Sequence, residues 1–258
     1  MAVTLKTRLL NFTGKTTIQL LLLVVVFFFA PVDATAQRRF SKSFPASRDV
    51  RLNLNNRSGM VTVEGWNRNE VQIQAYLESP AAAINPQILA GVILINVVKD
   101  NYGRGDVGNV NFTIRVPYDA SVDIETKIGN LNVSNVGGAL VRAKISSDGD
   151  ITLTNISARM VTAENGIGNI FFDGEIQSNG VYRFTSMRGD INLRVPFTSS
   201  FKLIATAPST RSINLGSFAN SNMRSFGDGR RVMGQFGDGG SSITVTNQRG
   251  TIAFIRRQ

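Results

Sequence analysis

The sequence has no cysteine and no histidine among its 258 residues. The chain therefore cannot form a disulfide, a thiolate redox centre, a Ser-His-Asp or Cys-His catalytic triad, or a zinc site of the usual ligand types. Carboxylates, lysine, tyrosine and an oxygen-ligated metal remain available, so the composition argues against an enzyme without excluding one. With 42% hydrophobic residues the chain is too apolar to be disordered, and it is long enough to bury one sizeable core.

The first 36 residues have the pattern of a secretory signal peptide. Three basic residues fall within the first 15, an unbroken apolar run follows at 20–30, and Ala34-Thr35-Ala36 matches an A-x-A cleavage site. A retained membrane anchor is the rival interpretation, but the apolar run is shorter than the roughly 20 residues that a spanning helix needs. We therefore expect cleavage after Ala36 and export of the mature chain to the periplasm or the cell surface. The lack of cysteine excludes a lipid anchor at this point.

The chain is basic, with a formal net charge of +10. Removal of residues 1–36 takes away three basic residues and one acidic residue, which leaves 25 basic and 17 acidic residues and a net charge of +8. The basic residues are dispersed along the sequence, which predicts a diffuse positive field rather than a groove-shaped patch. For an exported chain we expect an anionic glycan or another envelope component as the partner, and no nucleic acid.

Residues 37–117 alternate apolar and polar positions in the way that is typical of strands. Three such runs between residues 50 and 77 are separated by Gly and Asn turns, which predicts an N-terminal β-meander. The segment 80–90 is predicted as the one short helix, because Pro86 suits a first helical turn. An apolar strand is expected at 92–98 and another at 111–116.

One pattern recurs through residues 118–216, namely a glycine, an Asn or Asp, and then alternating apolar residues. The turn residues of the four clear copies are Gly129 and Asn130, Gly149 and Asp150, Gly168 and Asn169, and Gly189 and Asp190. Their glycines recur about every 20 residues, a period that is characteristic of a solenoid. A degraded fifth copy lies at 211–215, and each copy has a strand-like segment upstream of its turn.

Two short strands joined at a glycine turn would form one rung of about 20 residues, which cannot bury its apolar face until the next rung stacks on it. Glycine at the turn allows a positive φ, and the adjacent Asn or Asp can hydrogen-bond the turning backbone. The sequence therefore predicts an all-β fold, a β-solenoid of the single-stranded β-helix type. The buried ladder of this solenoid is expected to contain Leu131, Ile151, Ile170, Ile191 and Ile213, backed by Val133, Leu153, Phe172, Leu193 and Leu215.

The glycine-rich residues 217–240 are predicted as a loop. They contain two Phe-Gly-Asp-Gly copies similar to calcium-binding glycine repeats, but with one Asp in ten residues these copies are too widely spaced to share an ion between successive turns. We therefore assign no metal-binding residue and no cofactor. Residues 241–258 are predicted to form a capping hairpin that protects the open edge of the solenoid.

The ordered set of these features resembles the bacterial "putative adhesin" domain family, a domain of unknown function. The residues that carry the resemblance are 58–66 (SGMVTVEGW) with 70–73 (EVQI), Val116-Pro117, the repeated Gly-Asp/Asn-Ile motif, and 249–252 (RGTI). The likeness covers most of residues 40–257, and the chain departs from the family in its apolar strand at 92–98 and in its long glycine-rich segment. The resemblance implies an exported envelope or surface domain with a β-solenoid fold, and it brings no catalytic residue.

The outward positions of the repeats predict a polar column with one aromatic residue on one face of the solenoid. Its members are Asn132, Thr152, Phe171, Asn192 and Asn214. Such a column suits contact with a glycan, although any solvated sheet face has a similar composition.

Two pairs of nearby acids, Asp148 with Asp150 and Asp173 with Glu175, would suit the acid and base of a glycan-cleaving solenoid. Each pair lies at or beside a repeat turn, which favours solvated turn carboxylates instead. The tripeptides at 104–106 and 188–190 both spell the integrin-binding sequence Arg-Gly-Asp, but the second coincides with a repeat turn and is explained by it.

Together these patterns predict a non-enzymatic, adhesin-like binding or scaffold domain that makes many weak polar contacts along a rigid, repeating face. No catalytic residue is assigned. The alternative is a β-helix lyase or hydrolase that acts on glycans. Carboxylates that converge with a Lys or Arg on one face would favour the enzyme, since turnover needs convergent groups and binding does not.

The first testable prediction concerns the mature N-terminus. Because Ala34-Thr35-Ala36 places small residues where a signal peptidase cuts, intact-mass analysis of the exported protein should give the mass of residues 37–258. A mass that retains residues 20–30 would show that the apolar run is kept as an anchor.

Overall fold

The structure is a computed structural model that describes residues 38–79 and 82–258. The predicted signal peptide at 1–36, and Pro80 and Ala81 in the segment predicted as helical, lie outside the described residues. Strand is the main secondary structure of the described residues, and helix is nearly absent. The strands are β1 (Arg38–Pro45), β2 (Arg51–Ser58), β3 (Val61–Trp66), β4 (Glu70–Leu77), β5 (Gln87–Leu89), β6 (Val92–Asn96), β7 (Val110–Pro117), β8 (Ser121–Ile128), β9 (Leu131–Ser134), β10 (Leu140–Asp148), β11 (Ile151–Ile156), β12 (Met160–Ile167), β13 (Ile170–Gly174), β14 (Val181–Arg188), β15 (Ile191–Pro196), β16 (Phe201–Thr206), β17 (Ile213–Asn214), β18 (Arg224–Phe226), β19 (Arg231–Phe236), β20 (Ser241–Asn247) and β21 (Ile252–Arg257). The helices are α1 (Val97–Asp100) and a 3₁₀ turn (Gly216–Phe218).

The strands form two sheets that enclose one core. Sheet I has ten strands in the order β1-β4-β7-β3-β9-β11-β13-β15-β21-β17, and sheet II has eleven in the order β18-β19-β16-β20-β14-β12-β10-β8-β2-β6-β5. Each rung consists of one strand of sheet II followed by one strand of sheet I, and neighbouring rungs pair in parallel. The predicted all-β solenoid is confirmed.

The corner between the two strands of a rung is a column of stacked glycines. Gly129, Gly149, Gly168 and Gly189 all have positive φ, between 112° and 144°. A Cβ on Gly168 would overlap the carbonyl oxygen of Gly149, and the same overlap recurs along the column. Glycine is therefore required twice, once by the backbone conformation and once by the close approach of the rung below.

The Asn and Asp residues beside these glycines form a second column, which links successive rungs. The Asn130 Oδ1 accepts a hydrogen bond from the Asp150 N–H at 3.0 Å, and the Asp150 Oδ1 accepts one from the Asn169 N–H at 2.7 Å. Asn169 and Asp190 continue the series at 2.8 and 2.7 Å. Each of these side chains thus accepts a hydrogen bond from the backbone of the adjacent rung. The sequence had suggested a hydrogen bond within the residue's own turn instead.

The predicted inner ladder is confirmed over its first four members. Leu131, Ile151, Ile170 and Ile191 are paired in register and fully buried. Ile213 is only partly buried and is separated from Ile191 by Ile252, which occupies the intervening strand. The second row is buried over its whole length, from Val133 through Leu153, Phe172 and Leu193 to Leu215.

The predicted N-terminal meander is wrong in its pairing. Strands β2 and β3 belong to different sheets and form a rung of their own around Gly59, whose φ is +113°. Strand β4 pairs antiparallel with β7, and β7 in turn pairs parallel with β3. The alternation of apolar residues reports which face of a strand is buried, but it does not report which strand is the neighbour.

The predicted C-terminal capping hairpin and the predicted loop before it are also wrong. Strands β20 and β21 do not pair with each other; they form a rung around Gly250 that inserts between β14–β15 and β16–β17. The segment 217–240 contains the antiparallel strands β18 and β19, joined at a turn where Gly227, Asp228 and Gly229 have positive φ. The glycines of that segment mark a tight turn, because glycine adopts positive φ without steric cost.

The segment predicted as a helix is not helical where the structure describes it. Residues 82–86 have no regular structure, and the following strand β5 pairs antiparallel with β6 at the edge of sheet II. A residue before proline is driven towards extended conformations, which opposes a helix that starts at Pro86. The strand predicted at 92–98 ends at Asn96, whose Oδ1 accepts from the Lys99 N–H and caps α1.

The glycine column allows a direct test of the stacking. Gly168→Ala should lower the free energy of unfolding by about 3 kcal/mol, because a methyl group must adopt positive φ and displace the Gly149 carbonyl. Gly105→Ala is the matched control, since a Cβ there meets no atom within 4 Å. Urea denaturation of both variants checks this, and equal stability of the two would show that the corner tolerates a side chain.

Candidate functional site

The predicted polar column lies on the outer face of sheet I. Asn132, Thr152, Phe171 and Asn192 occupy equivalent positions on four consecutive strands, β9, β11, β13 and β15, and all are half-buried. Asn214 does not adjoin them, because Ala253 of the inserted strand β21 lies between Asn192 and Asn214. We call the four adjacent residues the outer column.

An ion-pair cluster lies beside Phe171 on the same face. The Asp173 Oδ2 is 2.5 Å from a terminal nitrogen of Arg194, and its Oδ1 is 3.5 Å from the Arg257 Nε. Arg257 also pairs with Glu175 at 3.0 Å. The Arg194 guanidinium carbon is 5.6 Å from the centre of the Phe171 ring, within the range of a cation–π contact. The aromatic ring of the outer column is therefore held by the strand next to it.

Asp173 is the most enclosed acid of this cluster, with a side chain only 5% exposed. Its hydrogen bond to Arg194 raises the pKa of that guanidinium, so Arg194 stays charged. A buried carboxylate that two arginines neutralise is costly to leave unpaired. Among the described residues the Asp173 Oδ1 accepts no hydrogen bond, but it is buried beside Arg257 and is therefore not exposed to a substrate. The carboxylates converge with arginine, as an enzyme would require, but each of them already has an arginine partner within the cluster.

Asp150 and the buried Tyr182 are engaged in structure as well. Asp150 links two rungs, and its neighbour Asp148 is exposed at the end of β10. Burial raises the pKa of Tyr182, whose hydroxyl accepts a hydrogen bond from the Gln177 N–H at 2.7 Å and lies 3.1 Å from the Ala158 carbonyl. Within residues 38–79 and 82–258, no group of three or more Asp or Glu side chains is placed to hold a metal ion.

The tripeptide at 188–190 is a repeat turn, as predicted. Gly189 has a φ of +123°, and the Asp190 Oδ1 accepts from the Thr251 N–H of the next rung. The tripeptide at 104–106 lies in the segment between α1 and β7, outside the rungs. The Asp190 carboxylate is thus used to hold two rungs together.

A groove follows the corner opposite the glycine column. It has a volume of about 610 Å³ and is lined by loop residues that include Asp119, Ser157, Arg159 and Gln177, with Met160 and Val181 as apolar members. Among the described residues, its two charged lining residues, Asp119 and Arg159, form no ion pair with each other. The groove has the form of a shallow surface trough.

Arg194 and Arg257 were not expected from the sequence as partners of Asp173. Arg194 follows Asp173 by one repeat, so the period alone places them side by side once the rungs are aligned. Arg257 is far from Asp173 in the chain and reaches the cluster only because β21 inserts beside β15. The repeat period alone is enough to predict Arg194 as a partner of Asp173. Arg257 can be identified as a partner only once the stacking order of the rungs is known.

Among the residues that the structure describes, no helix is long and apolar enough to cross a membrane. The family model described as Toastrack DUF4097 matches residues 43–254. No curated protein sequence is significantly similar to this chain.

Solved structures match this chain at low sequence identity. A protein from Clostridium sporogenes, described as a "putative cell adhesion protein", is 15% identical with a TM-score of 0.50, over 86% of this chain and 100% of its own. A "putative adhesin" from Bacteroides fragilis is 12% identical, with a TM-score of 0.31 over 86% of this chain and 99% of its own. A "putative lipid binding protein" from Parabacteroides distasonis is 8% identical, with a TM-score of 0.38 over 86% and 95%.

The buried acid of the cluster generates the next prediction. Asp173→Asn should lower the free energy of unfolding by about 2 kcal/mol, because it leaves Arg194 without its anion and Arg257 with Glu175 alone, although the partial exposure of the arginines reduces the loss. Glu64→Gln is the control, since Glu64 and its partner Arg115 are about half exposed and should contribute within about 0.5 kcal/mol. Thermal denaturation distinguishes the two; an unchanged Asp173→Asn protein would contradict a structural role.

Proposed function

The chain belongs to the Toastrack DUF4097 family, and from this premise we propose that it is an exported, non-enzymatic binding domain of the cell envelope that holds a saccharide along the outer column. The observation that carries the proposal is the alignment of Asn132, Thr152, Phe171 and Asn192 in one row across four paired strands. Strands in a sheet are about 4.8 Å apart, so the row extends for about 14 Å.

The chemistry of the row suits a sugar. The two amides and the hydroxyl offer both donors and acceptors, and a sugar has both around its ring. Phe171 supplies an aromatic face, and its position is set by Arg194. Contacts of this kind are weak one by one, and they add up only where the surface is already in the binding conformation.

The rigidity of the scaffold supports this mode of binding. Each residue of the outer column is flanked by inner-ladder residues that are almost completely buried, such as Ile170 and Phe172 on either side of Phe171. Ordering the surface on binding therefore costs little conformational entropy. The description of the Clostridium sporogenes protein as a "putative cell adhesion protein" is consistent with a role in surface contact.

The absence of turnover is part of the proposal. Asp173 and Glu175 are engaged by Arg194 and Arg257, so the acids nearest the column are not placed to protonate a leaving group or to activate water. The surface beside them is an open sheet face.

A binding screen tests the proposal. The exported protein is applied to immobilised saccharides and envelope fractions, with a parallel assay for hydrolysis or elimination. Phe171→Ala should weaken saccharide binding about 10-fold, because one aromatic contact is lost. Phe226→Ala on β18 of sheet II is the matched control and should bind like the parent. Release of product, or equal binding by both variants, would contradict the proposal.

A further inference from the structure

A second concave surface lies towards the end of sheet II that is formed by β8, β2, β6 and β5. This cleft has a volume of about 410 Å³ and is formed by the ends of β2 and β8, helix α1 and the segment that follows it. Its lining includes Arg57 and Lys127 from the two strands, and Tyr102 and Arg104 from the segment. The size is in the range of clefts that take a small ligand.

Two cations occupy equivalent positions on adjacent strands of the cleft. Asn56 pairs with Thr126 and Ser58 pairs with Ile128 between the parallel strands β2 and β8. Arg57 and Lys127 lie between these pairs, and both side chains are exposed. Like charges placed side by side across two strands repel each other and lower stability.

Two neighbouring charged pairs on the same sheet face follow the opposite rule. Asp123 on β8 pairs with Arg142 on β10 at 2.7 Å, and their neighbours Glu125 and Lys144 pair at 3.2 Å. At both of these positions the sheet places opposite charges side by side, whereas Arg57 and Lys127 bring like charges together. A local departure from a rule that the surrounding structure obeys is expected at functional positions.

No carboxylate neutralises the two cations within the described residues. Neither Arg57 nor Lys127 has an oxygen of Asp or Glu within 4.0 Å there, and the nearby Glu125 is already paired with Lys144. The Arg57 guanidinium donates instead to the Arg104 carbonyl at 3.5 Å. An anion that enters the cleft would relieve the repulsion and bind both cations.

The wall opposite the cations is held in place by a buried amide. The Asn101 Nδ2 donates to the Ala83 and Val97 carbonyls, each at 2.8 Å, and its Oδ1 accepts from the Ala83 N–H at 2.7 Å. Next to this anchor Tyr102 is 90% exposed. An aromatic ring on a fixed support beside a pair of cations is suited to a ligand that has both an anionic group and an apolar face.

We propose that this cleft is a binding site for an acidic saccharide, with a carboxylate, sulfate or phosphate of the sugar between Arg57 and Lys127 and the sugar ring against Tyr102. The site is on sheet II, does not involve the outer column, and does not depend on the function proposed for it. A bilayer surface is less well matched, because the cleft is concave.

The test compares binding of the full exported protein to dextran sulfate and to neutral dextran at low ionic strength, where exposed charges are least screened. The parent should bind dextran sulfate only. Arg57→Gln and Lys127→Gln should each weaken binding about 5-fold, the equivalent of about 1 kcal/mol for one partly exposed cation. Tyr102→Ala should weaken binding of dextran sulfate. It should leave unchanged the affinity for inorganic sulfate, which is measured by displacement of bound dextran sulfate.

Three controls isolate the contribution of the cleft from that of the overall charge, the outer column and the stability of the fold. Lys202→Gln, on β16 at the other end of the same sheet, makes the same change in net charge and should bind like the parent. Phe171→Ala should also bind like the parent, which keeps this site distinct from the outer column. Lys127→Gln should melt at the same temperature as the parent or higher, because it removes a repulsion.

Specific outcomes would overturn the proposal. They are an equal loss in Lys202→Gln and Lys127→Gln, a lower melting temperature for Lys127→Gln, and equal binding of neutral dextran. Inorganic sulfate that competes as well as dextran sulfate, with no effect of Tyr102→Ala, would reduce the site to one for an inorganic ion. Binding to vesicles of anionic phospholipid that depends on Lys127, without binding to dextran sulfate, would assign the cleft to a membrane surface.

Discussion

The close contact between glycine corners is the constraint on which the rest of this structure depends. A carbonyl oxygen of one rung occupies the space that a Cβ of the next rung would need, and this is repeated from Gly59 to Gly250. Because the corners approach so closely, the backbones of both sheets stay in hydrogen-bonding register on either side of them. The Gly129 N–H, for example, donates to the Asp148 carbonyl at 2.8 Å. The Asn and Asp side chains at the corners add a bond between rungs, so the turn sequence specifies stacking as well as turning.

Regular stacking separates structural residues from residues that are free to bind. Inward positions form ladders of buried aliphatic and aromatic side chains, and burial of each contributes about 1.5 to 3 kcal/mol. Outward positions have no such role, and they vary from a polar row on sheet I to alternating charges on sheet II. Against that background two surfaces stand out, namely the row around Phe171 and the cationic cleft at Arg57 and Lys127. Both are supported by strands whose other face is packed in the core.

The two ends of the stack are built in a similar way. At one end the rung β6–β7 lies outside β2–β3, although it follows β3 in the chain, and at the other end β20–β21 inserts inside β16–β17. Antiparallel strands then cover three of the exposed edges, with β4 on β7, β5 on β6 and β19 on β16. An open parallel edge would offer unpaired backbone groups to other chains, and antiparallel strands of limited length reduce that exposure. The helix α1 and the segment after it exist because the β6–β7 connection does not use a glycine corner, and the same connection forms the wall of the cationic cleft.

The sequence by itself determined the class of fold, the glycine corners and most of the inner ladder, since all three arise from local spacing within residues 118–216. It also placed Asn132, Thr152, Phe171 and Asn192 on one face, because side chains alternate along a strand. The stacking order was decided only by the tertiary structure: an alternating pattern is the same whichever rung lies next to it, so β20–β21 was mistaken for a hairpin and β2–β4 for a meander. For the same reason the sequence indicated a diffuse positive charge, whereas the fold brings Arg57 next to Lys127, which is distant from it in the chain. Which outward side chains meet depends on register between rungs, and register is settled by the packing of the whole stack.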